Sequence, residues 1–241
     1  MAETHAITGT LAPGRPGVLQ ASTHKGVNRI IAQRIREAGP ALDILEAGCG
    51  RAWPFSKGMH RITGVDSDKA ALVMRQNQRG DLDRTIHGDL RTVELPAEAY
   101  DVVYCSFVLE HLDGAVPVLD KFVRTLKPGG RLILTFPDRD SVFGFFTRIT
   151  PLWVHVLYKR YLEGMPNAGK PGHAPYPTYY DPITSRAAFH RYIRQKKLKL
   201  LDEYAFGYLP LAVEGFVRLV SALTFGRLGS HKNLCYVLQK T

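Results

Sequence analysis

Residues 42–52 have the sequence LDILEAGCGRA. An apolar stretch typical of a buried strand ends in an acid, Glu46, two residues before the Gly-x-Gly of Gly48 and Gly50. Glycines between a strand and a helix let the backbone approach a nucleotide-like ligand closely. Several cofactor-binding folds open in this way, so the turn by itself predicts a nucleotide-type site without naming its ligand.

The residues after the turn exclude two of these folds. A dinucleotide fingerprint would place a third glycine at the position of Trp53, where an indole ring blocks the approach of a pyrophosphate. A P-loop would continue with Gly-Lys-Ser/Thr, and no such sequence follows. The pattern therefore favours a ligand that carries hydroxyl groups and a positively charged group over a ligand that carries several phosphates.

Two further acids stand where later strands are predicted to end. The stretch Arg61–Asp66 is typical of a buried strand, and its terminal carboxylate is placed to accept two hydrogen bonds from a ribose diol. The segment 85–90 supplies Asp89 after a short strand, where a carboxylate can accept a hydrogen bond from an adenine amino group. A helix is predicted between these strands, from Asp68 to Arg79.

Five motifs then follow one another over residues 41–137: LEAGCG, GVDSD, HGDL, YDVVYCSFVLEHL and LKPGGRLILTFP. This series resembles the class I S-adenosylmethionine-dependent methyltransferases, nearest to the ubiquinone/menaquinone methyltransferase-like (type 11) branch. The resemblance implies a doubly wound α/β fold with a mostly parallel seven-stranded sheet and a helical and loop insertion after strand five. It also implies S-adenosylmethionine as cofactor, S-adenosylhomocysteine as product and no metal. Ala52 departs from the family, many of whose members carry a third glycine there.

The resemblance also assigns residues to the cofactor. It places Glu46 near the amino-acid end of S-adenosylmethionine, Asp66 on the ribose and Asp89 on the adenine. The complete predicted cofactor-binding set is Glu46, Gly48, Cys49, Gly50, Asp66, Ser67, Asp89, Leu90 and Ser106.

The predicted chemistry requires few protein groups. A sulfonium methyl group is already activated, so transfer needs mainly an acceptor aligned about 3 Å from the methyl carbon. A hydroxyl acceptor also needs a base, for which His111 and His173 are the candidates, although one could instead orient backbone and the other be a solvated loop residue. The residues predicted to contact the substrate are His155, for which packing is the alternative role, with Tyr176, Tyr179, Tyr180 and Asp181.

Four segments describe the predicted organisation of the chain. Residues 1–24 are expected to be a flexible N-terminal arm and residues 25–140 the cofactor-binding α/β core, beginning with a helix over 25–38. Residues 141–195 are expected to be an aromatic, basic lid or substrate insertion, and 196–241 to complete the same domain with two strands and a helix between them.

Within the insertion, the aromatic stretch 141–162 is predicted to form two helices separated by Pro151. Its rings and cations suit either a cover over an apolar substrate pocket or a helix lying on a membrane interface. The stretch 165–182 contains five prolines and is predicted to be a long ordered loop of the kind that covers active sites. The last two strands are predicted over 198–204 and 234–239, and the family resemblance implies that they close the sheet as an antiparallel hairpin.

The charge distribution and the cysteine content bear on the protein's partners and its cellular compartment. Residues 1–140 carry 18 Lys and Arg against 17 Asp and Glu, whereas residues 141–241 carry 14 against 5. A basic half suits an acidic substrate or carrier protein, an anionic membrane surface, nucleic acid, or simply a solvated surface. Three cysteines without metal-site spacing are typical of a reducing compartment, and the N-terminus has no apolar signal segment. We expect a cytoplasmic protein whose basic half is a candidate for peripheral contact with the inner face of the membrane.

The sequence therefore predicts methyl transfer from S-adenosylmethionine to a small or lipid-linked apolar molecule. The basic C-terminal half is compatible with either a neutral or an anionic acceptor. Oxygen is the favoured acceptor atom over nitrogen and carbon, because histidines and tyrosines in the lid suit deprotonation. One alternative is a non-catalytic subunit that keeps the cofactor fold. The other is a nucleic-acid methyltransferase, which is disfavoured because residues 105–108 read CSFV in place of Asn/Asp-Pro-Pro-Tyr and no paired catalytic cysteines are present.

Overall fold

An eight-stranded sheet forms the centre of the protein in the computed structural model, which describes residues 20–161, 164–170, 175–207, 211–225 and 227–241. In chain order the strands are β1 (Gln20–Ser22), β2 (Asp43–Ala47), β3 (Arg61–Asp66), β4 (Arg84–His87), β5 (Tyr100–Ser106), β6 (Leu126–Pro137), β7 (Lys199–Phe206) and β8 (Asn233–Gln239). Their order across the sheet is β1-β7-β8-β6-β5-β2-β3-β4. Only β8 runs antiparallel to its neighbours β6 and β7, so the predicted class I sheet and its closing antiparallel pair are confirmed.

In the described parts of the chain, seven α-helices connect and cover the strands. They are α1 (His24–Ala38), α2 (Lys69–Met74), α3 (Ala115–Thr125), α4 (Val142–Ile149), α5 (Leu152–Tyr161), α6 (Arg186–Gln195) and α7 (Leu211–Leu223). Local capping explains where several begin: the Thr23 side chain accepts a hydrogen bond from the Gly26 N–H and starts α1, and Asp68 does the same for α2. After α2 the chain continues as one turn of π-helix over Arg75–Arg79, and this helix ends at Gly80.

The two faces of the sheet carry separate apolar cores, because successive strand residues point to opposite sides. On one face Val103, Leu132 and Tyr236 pack with buried residues of α3 and α6. On the other face Val102 and Ile133 pack with buried residues of α1 and α2. Helices on both faces of a mostly parallel sheet are the doubly wound arrangement expected from the sequence.

Two boundaries differ from the sequence prediction. Residues 20–22, assigned to the flexible arm, form β1 and pair in parallel with β7, which adds an eighth strand at the sheet edge. Pairing with a distant strand leaves no local pattern in three residues, so the sequence could not show it. In addition, the sequence LKPGG at 126–130 predicts a turn before a strand that starts at Arg131, whereas β6 begins at Leu126. Gly129, with a φ of 76°, carries the chain through the irregular start of the strand.

The insertion has the predicted helix–break–helix form, with Pro151 between α4 and α5. The described residues of the stretch 165–182 contain no strand or α-helix until a short 3₁₀ turn at Pro182–Thr184. Helix α7 lies in the chain between β7 and β8, as expected. No helix among the described residues has the length and apolar character needed to cross a membrane.

Candidate active site

The glycine turn follows β2 and is held against β3 by the backbone. The N–H groups of Gly48 and Cys49 both donate to the carbonyl of Val65, at 2.8 and 3.2 Å. Gly48 has a φ of 69°, and a Cβ added there would stand 2.3 Å from a methyl carbon of Val108. Glycine is therefore required at residue 48 by both backbone conformation and space.

Asp66 fastens the same turn from the end of β3. One carboxylate oxygen accepts the N–H of Gly50 at 2.8 Å, and the other accepts the N–H of Asp68 at 2.8 Å. Each carboxylate oxygen has a second lone pair for a ligand hydroxyl. Asp89 is more engaged, because the Arg91 guanidinium binds both of its oxygens and lowers the pKa of that carboxyl.

Glu46 and Arg75 form a buried pair beneath the turn. Arg75 Nη1 lies 2.7 Å from Glu46 Oε2, and the same nitrogen donates to the carbonyl of Cys49. Burial raises the pKa of Glu46 to about 8, against the opposing attraction of Arg75. Glu46 also borders open space beside the glycine turn, where a cationic ligand group can approach its carboxyl.

These residues surround a cavity with two lobes, here called the glycine-turn cavity. The larger lobe has a volume of about 560 Å³ and is lined by Gly48, Gly50, Asp66, Ser67, Asp89 and Leu90 among others. The smaller lobe has a volume of about 340 Å³ and is lined by Glu46, Cys49 and Ser106 as well as the two glycines. All nine residues predicted to bind the cofactor thus line one of the two lobes.

A second space, here called the aromatic cavity, adjoins the first and has a volume of about 350 Å³. Its aromatic walls are Phe107, Phe143, Tyr158, Tyr176 and Tyr180. Phe107, His111 and Tyr176 line both this cavity and the larger lobe of the glycine-turn cavity. Three side chains therefore mark where the contents of the two cavities meet.

His111 stands at this junction with a defined tautomer. Its Nδ1 lies 2.7 Å from the carbonyl oxygen of Pro177, which can only accept, so Nδ1 carries the proton and Nε2 keeps its lone pair. Burial lowers the pKa of His111 below its ordinary value, which keeps the ring neutral. Nε2 lies 3.9 Å from Oε1 of Glu110.

Glu110 is a second buried carboxyl, and it lines the aromatic cavity. Its Oε2 has no hydrogen-bond partner, and burial raises the pKa of the side chain to about 8. Its backbone carbonyl accepts the N–H groups of Tyr179 and Tyr180, which joins the 175–182 loop to this wall of the cavity.

Other predicted substrate residues lie in different positions. Tyr176, Tyr180 and His155 line the aromatic cavity, but His155 Nε2 is within 3.0 Å of the Thr150 hydroxyl and close to two carbonyls, as the packing alternative expects. Two predicted substrate residues lie outside these cavities. Tyr179 lines none of the three spaces described above, and its side chain is exposed. Asp181 does not line them either, because its carboxylate caps the N–H groups of Ala115 and Ile183. His173 lies outside the described residues.

Among the residues that sequence reasoning missed and that the fold brings to the aromatic cavity are His24, Phe107, Glu110 and Phe143. Glu110 adjoins the predicted His111, which was the one available signal. Phe107 takes a φ of 54°, a strained conformation for a bulky residue of the kind that concentrates at functional sites. Within the described ranges no group of three or more His, Cys, Asp or Glu side chains is arranged to hold a metal ion.

Comparison with known proteins agrees with the geometry. Residues 45–134 match the family model described as a methyltransferase domain. A probable S-adenosylmethionine-dependent methyltransferase of Mycolicibacterium smegmatis is 30% identical over 129 residues, which cover 52% of this chain and 49% of the relative. The mitochondrial ubiquinone biosynthesis O-methyltransferase of Schizosaccharomyces pombe is 30% identical over 135 residues, 48% of each chain. The malonyl-[acyl-carrier protein] O-methyltransferase of Alcanivorax borkumensis is 29% identical, over 58% of this chain and 49% of the relative.

The chain thus spans about half the length of these curated relatives. Among solved structures, a putative methyltransferase of Bacillus halodurans superposes with a TM-score of 0.56 at 12% identity, covering 89% of this chain and 99% of the other. A similarity of that kind supports the fold alone.

Proposed function

Because this chain is a member of the class I S-adenosylmethionine-dependent methyltransferases, in their type 11 branch, we propose that it methylates an oxygen atom of a small or lipid-linked apolar molecule. The observation that carries the proposal is the meeting of the two cavities at Phe107, His111 and Tyr176. The glycine-turn cavity has the hydroxyl-accepting and cation-accepting groups for the cofactor, and the aromatic cavity suits an apolar acceptor.

The residues of the glycine-turn cavity fit S-adenosylmethionine. The Glu46 carboxyl, which lines the smaller lobe beside Arg75, suits the cationic amino group of the amino-acid end, and Asp66 suits the ribose hydroxyls. The Asp89 carboxylate already accepts from the backbone N–H and the guanidinium of Arg91, so the adenine amino group would share this carboxylate with Arg91. When bound, the cofactor supplies a methyl group already activated on a sulfonium.

His111 is the group we assign to the acceptor proton. Its Nδ1–H is committed to the Pro177 carbonyl, so Nε2 is free to accept a proton from a hydroxyl in the aromatic cavity. Because burial lowers the pKa of His111, activity should rise along a limb below pH 6.5 and level off above it.

Two relatives support oxygen as the acceptor atom, since both are named O-methyltransferases. One is named for ubiquinone biosynthesis, and the other for malonyl-[acyl-carrier protein]. The aromatic walls of the second cavity favour a planar or apolar acceptor of the first kind.

The test uses methyl-labelled S-adenosylmethionine and a panel of phenols that carry alkyl chains of increasing length. We expect label on the phenolic oxygen and a kcat/KM that rises with chain length. His111→Ala should lower turnover by roughly 100-fold or more while cofactor affinity stays within a factor of two or so. His87→Gln is the matched control, because His87 is exposed and lines none of the described cavities.

Label transfer to nitrogen or carbon acceptors, but not to any phenol, would overturn the oxygen assignment. Turnover of His111→Ala equal to that of the His87→Gln control would remove His111 from the chemistry and leave alignment of the acceptor as the sole contribution of the protein.

A second candidate acceptor is one held by an acidic carrier protein. A cleft of about 870 Å³ is lined by Arg186, Arg191, Arg194 and Arg227 together with His190 and His231. It adjoins the aromatic cavity, because Asp138 and His231 line the cleft while their chain neighbours Pro137 and Lys232 line the cavity. Basic surfaces of this kind attract acidic partners and raise their association rates.

Charge reversal separates the two acceptors. Arg191→Glu with Arg194→Glu should weaken methylation of a malonyl-loaded carrier protein at low salt and leave the alkyl phenols unaffected. Transfer to the carrier that is equal in both proteins would eliminate the cleft as a docking surface.

A further inference from the structure

Helix α5 has two different faces. Leu152, His155 and Tyr158, spaced three residues apart, line the aromatic cavity. Trp153, Leu157 and Tyr161, spaced four residues apart, are exposed to 63%, 42% and 79%. Residues at these spacings share a helix face, so the wall of the cavity carries an apolar stripe on its outer side.

Helix α7 carries a similar stripe. Phe216, Leu219 and Leu223 recur at helical spacing and are 52%, 58% and 69% exposed. Helix α4 touches both neighbours: the rings of Phe146 and Phe216 lie 5.9 Å apart, and His155 of α5 is 3.2 Å from the Thr147 carbonyl. The stripes of α5 and α7 thus belong to one group of three packed helices. Exposed apolar sets of this size mark surfaces that bind something.

The charges of these helices indicate what kind of partner binds the two stripes. Together α4, α5 and α7 contain four cations, Arg148, Lys159, Arg160 and Arg218, against one acid, Glu214. Lys159 lines the aromatic cavity and Arg218 pairs with Glu214, whereas Arg148 and Arg160 are exposed and give the outer surface its positive charge. A tryptophan and a tyrosine at the two ends of the α5 stripe are the side chains enriched at the headgroup level of membranes. Cations beside an exposed apolar stripe match an anionic bilayer, where apolar burial and attraction to lipid headgroups add.

We propose that the exposed stripes of α5 and α7 dock on an anionic lipid bilayer, so that a lipid-soluble acceptor enters the aromatic cavity along α5. The second half of this statement rests on the proposed function, whereas the docking does not. Attraction of about 1 kcal/mol per basic residue near the surface is enough for reversible association without a spanning helix.

The two tryptophans of the chain make the docking measurable. Trp53→Phe leaves Trp153, which is 63% exposed, as the only indole, and Trp153→Phe leaves Trp53, which is 8% exposed. Vesicles of equal parts phosphatidylcholine and phosphatidylglycerol should shift the emission of Trp153 to the blue at low salt, and brominated lipids should quench it. Trp53 should not respond. Unchanged Trp153 emission with these vesicles at low salt would overturn the proposal.

Co-sedimentation with the same vesicles tests the second stripe. Leu219→Ser with Leu223→Ser should reduce binding about tenfold or more, because two large apolar side chains no longer enter the interface. Met59→Ser with Val73→Ser is the matched control, since both residues are exposed apolar side chains outside these helices. Binding should need phosphatidylglycerol and weaken at high salt.

Two outcomes contradict the proposal. The first is equal vesicle binding by the wild type, the Leu219/Leu223 variant and the Met59/Val73 control. The second is a concentration-dependent dimer in solution that the Leu219/Leu223 variant no longer forms and that vesicles do not dissociate. The second outcome would assign the stripes to another copy of this chain. Neither measurement uses methyl transfer, so failure here leaves the proposed activity intact, and failure of the phenol assay leaves the docking result intact.

Discussion

The Asp66 carboxylate links the end of β3 to the glycine turn through the N–H groups of Gly50 and Asp68. Asp66→Ala should weaken S-adenosylmethionine and S-adenosylhomocysteine binding by about tenfold or more, because each charge-assisted hydrogen bond contributes roughly 1.5–3 kcal/mol. Calorimetric titration measures the change. Asp83→Ala is the control: its carboxylate also accepts a backbone N–H from β3, at Ile62, but it lines none of the described cavities. Equal affinity of the two variants would contradict the ribose assignment.

Glu110 gives a residue-scale prediction about pH. Burial raises the pKa of the folded protein's Glu110 to about 8, above its ordinary value of 4.5, and the titratable groups that face it are His111, Cys105 and Tyr180. The folded state therefore binds the extra proton between these values. Its stability contribution is complete below pH 4.5 and is lost as pH rises to about 8, at up to about 1.4 kcal/mol per pH unit.

Glu110→Gln should accordingly gain about 2 kcal/mol relative to the wild type when denaturant unfolding is measured at pH 8 instead of pH 6. Glu46 adds a slope of the same sign, so only the difference between the two proteins is diagnostic. Identical pH slopes in the two proteins would show that Glu110 is ionised in the folded state.

Glu203 is the contrasting buried carboxyl. Arg186, His190 and Tyr236 all bind it, and its pKa lies below the ordinary value because these bonds outweigh desolvation. Its contribution is present above pH 4.5 and lost as pH falls below that value. Glu203→Gln should cost about 3 kcal/mol of unfolding free energy at pH 7, since it breaks a buried ion pair by removing one partner. A loss under about 0.5 kcal/mol in urea unfolding, the range of ordinary surface substitutions, would contradict this.

At the scale of the element, the turn that follows β2 on the way to β3 distinguishes its two glycines. A Cβ on residue 48 would stand 2.3 Å from Val108, whereas a Cβ on residue 50 would meet open space. Both have positive φ, so Gly50→Ala should cost about 1 kcal/mol and Gly48→Ala roughly 3 kcal/mol or more. Denaturant unfolding of the two variants compares them directly. Equal costs would mean that Val108 moves aside and that the turn is less tightly packed than the structure indicates.

The helices of the insertion illustrate how one element serves two environments. The sequence predicted the break at Pro151 and left two interpretations of the aromatic stretch, a pocket cover or an interfacial helix. In the structure α5 lines the aromatic cavity with one face and exposes the other. The two interpretations are compatible because helical periodicity assigns them to different side chains.

At the scale of the whole molecule, the glycine-turn cavity is built from β2, β3, β4 and β5, so ligand binding there should stabilise the entire fold. S-adenosylhomocysteine at a hundred times its Kd should add about 2.7 kcal/mol and raise the Tm by roughly 5–10 °C. Differential scanning fluorimetry measures the shift, and Asp66→Ala should show little of it. An unchanged Tm at saturating ligand would contradict cofactor binding, while a shift without methyl transfer to any acceptor would favour a non-catalytic subunit.

The sequence by itself determined the class of fold and predicted which residues line the glycine-turn cavity. Buried strands, glycine turns and strand-end acids are local patterns, and parallel strands bring their carboxyl ends to one edge of the sheet whatever the loops do. The nine predicted cofactor residues accordingly line one cavity. The confirmed antiparallel pairing of β8 followed from the family resemblance that the motifs carry.

Only the tertiary structure decided which polar side chains remain available for chemistry. Asp181 was a substrate candidate until the fold placed it against the N–H of Ala115, 66 residues away in the chain. Glu110 drew no attention in sequence because its burial, and the unpaired oxygen that results, depend on a loop that returns to it from residues 179 and 180. A residue's type and local pattern are encoded nearby, whereas its hydrogen-bond partners and its exposure are set by segments distant in sequence, and these determine what it can bind.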